Sequence, residues 1–162
     1  MAKRVTTENP TKNMVCHTYA IFGEGESASD DLASIVEEFV VVGVEGNAIT
    51  CPSPISLWAS YNGVPADWDA IRAEQDIEEE YTKISWFQTS DSSSVQVPIA
   101  GGGSALWASL AVLACDPEAK VIFCGCDVPE GNLKARRGWE RALPKLQGKA
   151  EGISGYPKEL LG

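Results

Sequence analysis

The sequence predicts an α/β domain of three layers, with a mainly parallel sheet covered by helices on both faces. Strand-like apolar runs alternate with helix-length segments along the chain, the pattern of βαβ units. The run at 39–44 (Phe-Val-Val-Val-Gly-Val) is apolar at almost every position, as a strand is when both of its faces are buried. Glycine-rich turns stand twice between a strand and a helix, at 23–25 and at 101–103.

In order, residues 17–22 read as a buried strand and 29–38 as a helix opened by Ser29, Asp30 and Asp31, good N-cap and first-turn residues. Residues 39–44 form the central strand, and Glu45-Gly46-Asn47 ends it. A short strand is expected at 55–60, then a turn at Tyr61-Asn62-Gly63. The acidic stretch 67–81 contains a helix with Ile71 and Ile77 on its apolar side. Residues 84–87 read as a strand, 89–94 as a polar loop and 95–99 as a short extended piece. The second glycine turn leads into an apolar helix at 105–115, stopped by Asp116-Pro117. A buried strand at 121–124, a basic amphipathic helix at 133–146 bent near Pro144, and an edge strand at 150–154 complete the pattern.

A chain of 162 residues suits one folded domain, here 17–162, preceded by a polar arm at 1–16. The arm has no apolar stretch behind its basic residues, so it does not read as a secretory signal. No apolar run is long enough to span a bilayer. The formal charge of −10 argues against general binding to nucleic acid. Five cysteines at irregular spacing, mostly inside apolar runs, suggest reduced thiols and a cytoplasmic location. His17 is the single histidine, so a histidine cluster within one chain is excluded.

Two places carry candidate chemistry. At the first turn Gly23, Gly25 and Ser27 precede a helix; glycines admit close approach of a ligand, and the helix start and the Ser27 hydroxyl can donate to a phosphate. A tight strand-to-helix turn without a ligand is the alternative. At the second turn Gly102, Gly103 and Ser104 offer the same chemistry, and two such turns at one end of a parallel sheet would face one crevice. Seven of the 13 Lys and Arg residues fall between Lys134 and Lys158. Arg137 and Arg141 share a helix face and can clamp one anion, unless that face is simply solvated. Tyr61 or Trp86 can stack on a base, or pack in a core or subunit contact, whereas Trp139 reads as core.

The segment 19–30 (Tyr-Ala-Ile-Phe-Gly-Glu-Gly-Glu-Ser-Ala-Ser-Asp) resembles the opening of a Rossmann-like superfamily. That group includes archaeal 6-hydroxymethyl-dihydropterin diphosphokinases, flagellar motility accessory factors and sialyltransferase-like proteins. Residues 42–49, 102–114 and 121–127 are similar to its second strand and turn, its late helix and its Gly-x-Asp strand. The stretch from 136 to 162 also resembles small bacteriophage proteins. The resemblance implies a single Rossmann-like nucleotide-binding domain, with Gly23, Gly25, Ser27, Asn47, Gly102, Gly103, Ser104 and Asp127 around the phosphates. Ser60-Tyr61-Asn62 departs from the enzymes, many of which carry an Asp after the third strand.

The expected function is therefore binding of a phosphate-bearing nucleotide or nucleotide derivative without catalysis, as in a phage anti-defence protein that sequesters a nucleotide immune signal. No cofactor is expected on that reading. The alternatives are a small Mg²⁺-dependent diphosphokinase or nucleotide-sugar transferase, and an interaction module without a ligand. The exposed sheet edges and five tryptophans suggest a homo-oligomer.

Overall fold

The structure is a computed structural model that describes residues 9–12, 14–98 and 101–162. Seven strands form one parallel sheet in the order β5-β4-β3-β2-β1-β6-β7. They are β1 (Thr18–Phe22), β2 (Val40–Val44), β3 (Leu57–Ala59), β4 (Thr82–Ser85), β5 (Ser93–Ser94), β6 (Lys120–Cys124) and β7 (Ala150–Gly152). The helices are α1 (Ala28–Ala33), α2 (Ala66–Ala73), α3 (Ser104–Cys115), α4 (Leu133–Leu146) and α5 (Gly155–Leu161), with a 3₁₀ helix at Glu45–Thr50.

Alternation along each strand sorts the core into two halves. Tyr19, Ile21, Val42, Val44, Val121 and Phe123 point to one face, where α3 and α4 cover them with Leu106, Trp107 and Trp139. Ala20, Phe22, Val41, Trp58 and Ile122 point to the other, under Ala28 and Leu32 of α1 and Ala48 of the 3₁₀ helix. The result is the expected three-layer Rossmann-like architecture.

Several elements differ from expectation. The helix after β1 ends at Ala33, and Val36 beyond it is fully exposed. The third strand shrinks to Leu57–Ala59. In α2, Ile71 is exposed while Arg72 is buried. The Arg72 guanidinium makes a paired contact with Glu79 and donates to the carbonyls of Cys51 and Ser53, so a cation fills the place a hydrophobic residue would take. The extended piece lies at Ser93–Ser94 instead of 95–99; Ile99 and Ala100 fall outside the described residues. Helix α4 starts and ends where expected and continues through Pro144 to Leu146. The final helix, α5, was not anticipated.

Residues 9–12 belong to the expected arm, yet Asn9 and Thr11 both donate to the Cys115 carbonyl and close the C-terminal end of α3. Among the described residues no helix is long and apolar enough to cross a membrane.

Candidate functional site

β1 has β2 on one side and β6 on the other, while α1 leads to the first and α3 to the second. The carboxyl ends of β1 and β6 are therefore the point at which successive connections diverge, where open α/β sheets form a crevice. A cavity of about 250 Å³ lies there. Its wall is formed by Gly23 and Glu24 after β1, Glu45 and Asn47 after β2, Cys126 and Asp127 after β6, and Gly102, Gly103 and Ser104 leading into α3. A shallower lobe adjoins it, sharing Glu45, Gly103 and Ser104 and adding Tyr61 and Asn62.

The structure thus brings together Gly23, Asn47, Gly102, Gly103, Ser104 and Asp127, with Tyr61 in the second lobe. Gly25 and Ser27 do not line the cavity. The first turn is packed against the turn after β6. Gly23 N–H donates to the Cys124 carbonyl at 2.9 Å and Gly25 N–H to the Gly125 carbonyl at 2.7 Å. A Cβ on either glycine would sit 2.7 Å from the Gly125 oxygen, so this close packing already accounts for both residues. Ser27 donates to Asp31, a buried carboxylate that also receives Gly125 N–H at 2.9 Å and Ser154 Oγ at 2.6 Å.

The second turn differs. Gly103, with φ +91°, is the N-cap of α3 and has no side chain to offer the helix. Trp107 N–H takes the Gly103 carbonyl, so Ser104, Ala105 and Leu106 have N–H groups at the open end of a 12-residue buried helix. Ser104 and Ala105 line the cavity. Gly102 is fixed by its carbonyl, which accepts from Trp139 Nε1 at 2.9 Å, and the stem of Lys134 lies against Gly101. Arg137 and Arg141 are exposed on α4 and line neither lobe. Arg136 turns inward instead, donating to the Val128 carbonyl and lying 4.2 Å from the centre of the Tyr156 ring.

Among the described residues lining the main cavity there is no Lys or Arg, but there are three carboxylates: Glu24, Glu45 and Asp127. Glu45 is held by three donors: Ser60 Oγ at 2.7 Å, Tyr61 N–H at 2.8 Å and Ser104 Oγ at 2.8 Å. Asp127 Oδ1 receives Val128 N–H at 2.9 Å and Tyr156 N–H at 2.8 Å, which ties α5 to the cavity rim. Asn47 donates to the Val44 carbonyl. Tyr61 stacks on Trp86 with ring centres 5.5 Å apart, and meets Phe87 and Trp107 edge-on. Cys126 is buried, which pushes its thiol far up, and it donates to the carbonyls of Ile21 and Cys124. It is a packed thiol and not an activated nucleophile.

His17 lies just before β1, at the amino-terminal end of the strands and away from the cavity. Its Nδ1 is 2.6 Å from Asp116 and its Nε2 3.2 Å from Glu118. The hydrogen bond to Asp116 raises the imidazole above its ordinary value of 6.5, against a smaller desolvation effect. Among the described residues His17, Asp116 and Glu118 are the one grouping of three whose ligand atoms approach within 4.8 Å.

The fold and crevice define a Rossmann-like α/β domain with a cavity at its strand-order switch. No family model, curated protein or solved structure matches the chain.

Proposed function

We propose that this cavity captures a phosphate-bearing nucleotide or nucleotide derivative without transforming it. The observation that carries the reading is the uncapped start of α3, whose first N–H groups open into a crevice at the switch between β1 and β6. A phosphate placed there meets backbone donors and the positive end of the helix dipole. Tyr61, stacked on Trp86, lines the adjoining lobe beside it.

Capture is favoured over turnover by how the cavity's reactive groups are already engaged. Ser104 Oγ donates to Glu45, Asp127 Oδ1 holds two backbone N–H groups, and Cys126 is buried. A second reading, a Mg²⁺-dependent diphosphokinase or nucleotide-sugar transferase, draws on the three carboxylates at the wall. Their ligand atoms do not converge as those of His17, Asp116 and Glu118 do, so the donor set does not fit a resident ion. Sequestration of a nucleotide signal, as in an anti-defence sponge, is the biological role this reading carries.

The test is mass spectrometry of small molecules released by heat from protein pre-incubated with cell extract. Near-stoichiometric recovery of an intact nucleotide derivative is expected. Progressive breakdown of nucleotides in the extract would establish the enzyme reading, and recovery of nothing would remove the nucleotide reading.

A further inference from the structure

The end of the sheet opposite the cavity carries a second constellation. His17 directly precedes β1, and the turn Asp116-Pro117-Glu118 leads into β6, the strand that pairs with β1. The backbone joins the two segments, since Lys120 N–H donates to the His17 carbonyl at 2.8 Å. Asp116 is 5% exposed and held at both oxygens. Its Oδ1 accepts Glu118 N–H at 3.0 Å, while its Oδ2 accepts from Tyr19 Oη at 2.8 Å and stands 2.6 Å from His17 Nδ1.

A neutral imidazole whose Nδ1 meets a buried carboxylate carries its proton there and turns the Nε2 lone pair outward. Facing Nε2 is the Glu118 carboxylate, with Oε2 at 3.2 Å. Both side chains reach solvent, at 44% and 76% exposure. Two donors on a Zn²⁺-sized ion, each about 2.1 Å from it, stand about 3.0 Å apart in octahedral and about 3.4 Å apart in tetrahedral geometry. The observed separation lies between these values, so an ion can take the place of the Nε2 proton with little movement of either side chain. Lys120, the cation closest to Glu118 in sequence, is turned to Glu37 and Glu151, and the chain's formal charge of −10 favours a cation.

We propose that His17 Nε2 and the Glu118 carboxylate bind a divalent transition-metal ion of the Zn²⁺ class, with Asp116 as the positioning residue that fixes the imidazole. An imidazole ligand selects against Mg²⁺ and Ca²⁺, which take oxygen donors. Water completes the coordination from the solvent side. The ion clips the segment ahead of β1 to the turn ahead of β6. The site is separate from the cavity and independent of the nucleotide reading.

The experiment is isothermal titration calorimetry of the untagged, metal-stripped full chain with Zn²⁺, joined by absorption spectra of the Co²⁺ complex. One ion per chain is expected, with no competition from excess Mg²⁺. The Co²⁺ complex should show ligand-field bands without a thiolate charge-transfer band, which separates this site from the five cysteines. Asp116→Asn should weaken binding roughly 10- to 100-fold, the range for losing the group that orients a ligating histidine. It should also shift the ligand-field bands, which a merely structural loss would not do. His17→Asn and Glu118→Gln should weaken binding by at least as much, and Zn²⁺ should raise the Tm of wild type but not of these two variants. The Glu118 side chain is exposed, so Glu118→Gln keeps the proposal testable should Asp116→Asn fold poorly. No binding by wild type, a thiolate band, or unchanged affinity in Glu118→Gln, the mark of a lone surface histidine, overturns the proposal. Unchanged affinity in a folded Asp116→Asn overturns the positioning role.

Discussion

Replacing Arg72 with Leu should destabilise the domain by about 4 kcal/mol, within the range for breaking a buried ion pair. The side chain is 1% exposed, and its partner Glu79 is 8% exposed. Two contacts bind the pair, at 2.9 and 2.8 Å, and the Cys51 and Ser53 carbonyls accept from the same guanidinium at 2.5 and 2.8 Å. After the substitution Glu79 keeps only Ile55 N–H, and its charge stays buried without a counterion. Each carbonyl left without its donor adds roughly 1 kcal/mol, which places the loss toward the upper part of that range. Because domains of this kind hold about 5–15 kcal/mol in total, the variant should still fold but unfold early. Urea denaturation reports it, with fluorescence of Trp58 and Trp68, which stack beside this segment. The midpoint should fall at unchanged slope. The double variant Arg72→Leu with Glu79→Leu should recover much of the loss, since apolar replacement of a buried pair is often neutral. A loss below about 1 kcal/mol, or no recovery in the double variant, would refute the assignment of this pair as an uncompensated-charge problem.

Other expectations follow from the same physics. The raised His17 contributes stability that is fully present below its unfolded value of 6.5 and is lost as pH rises through the folded value. Burial pushes Asp116 up, but the hydrogen bonds from His17, Tyr19 and the Glu118 N–H together hold it below its ordinary 3.8, so it contributes above that value and is lost in stronger acid. Thermal unfolding should therefore show a fall in Tm above about pH 6.5 that is absent in His17→Asn. Gly125→Ala should cost more than about 1 kcal/mol in urea denaturation. Gly125 has φ +60°, and its new Cβ would lie 2.7 Å from Ala28 Cα. With three carboxylates and no basic side chain lining the main cavity among its described residues, a nucleoside monophosphate should bind more tightly than its triphosphate in low salt. Calorimetry at rising salt should narrow that gap, and a triphosphate preferred at every salt concentration would count against the electrostatic argument.

What could be read from the chain depended on whether the cause was local. β1, β2, β6, α3 and α4 declare themselves through apolar runs or an amphipathic repeat. The second glycine turn was legible for the same reason, because the residues that open α3 are adjacent in sequence. The first turn shows the limit. Its glycines read as a ligand cradle, while the group that approaches them is Gly125, about a hundred residues away. Arg72 reads as a solvent-facing charge until Glu79 and the carbonyls of 51 and 53 close round it. Helix α5 is short and capped by no side chain of its own; Asp127 from the turn after β6 supplies the bond to Tyr156 N–H. Glu45 stands out in the sequence only as part of the turn that ends the second strand, since its three donors come from residues 60, 61 and 104. Arg137 and Arg141 form a basic pair on paper, but α4 buries Ala135, Trp139, Ala142 and Leu146 and turns those two arginines to solvent.

The order of strands also sets a timetable for the newly made chain. β1 to β5 are laid down edge to edge, each beside its predecessor, so their pairing needs no later strand, although one face waits for α3 and α4. The other flank of β1 stays bare until β6 arrives, pairing Thr18 with Lys120 and Phe22 with Cys124 across about a hundred residues. During that interval a five-residue apolar strand offers unpaired backbone groups to any passing strand. Closure over so long a loop is slow and is the step at which misassembly competes. The cavity, whose wall needs the turns after β1 and β6 together, comes into being only at that closure. A half-made chain therefore has most of its sheet and none of its binding site.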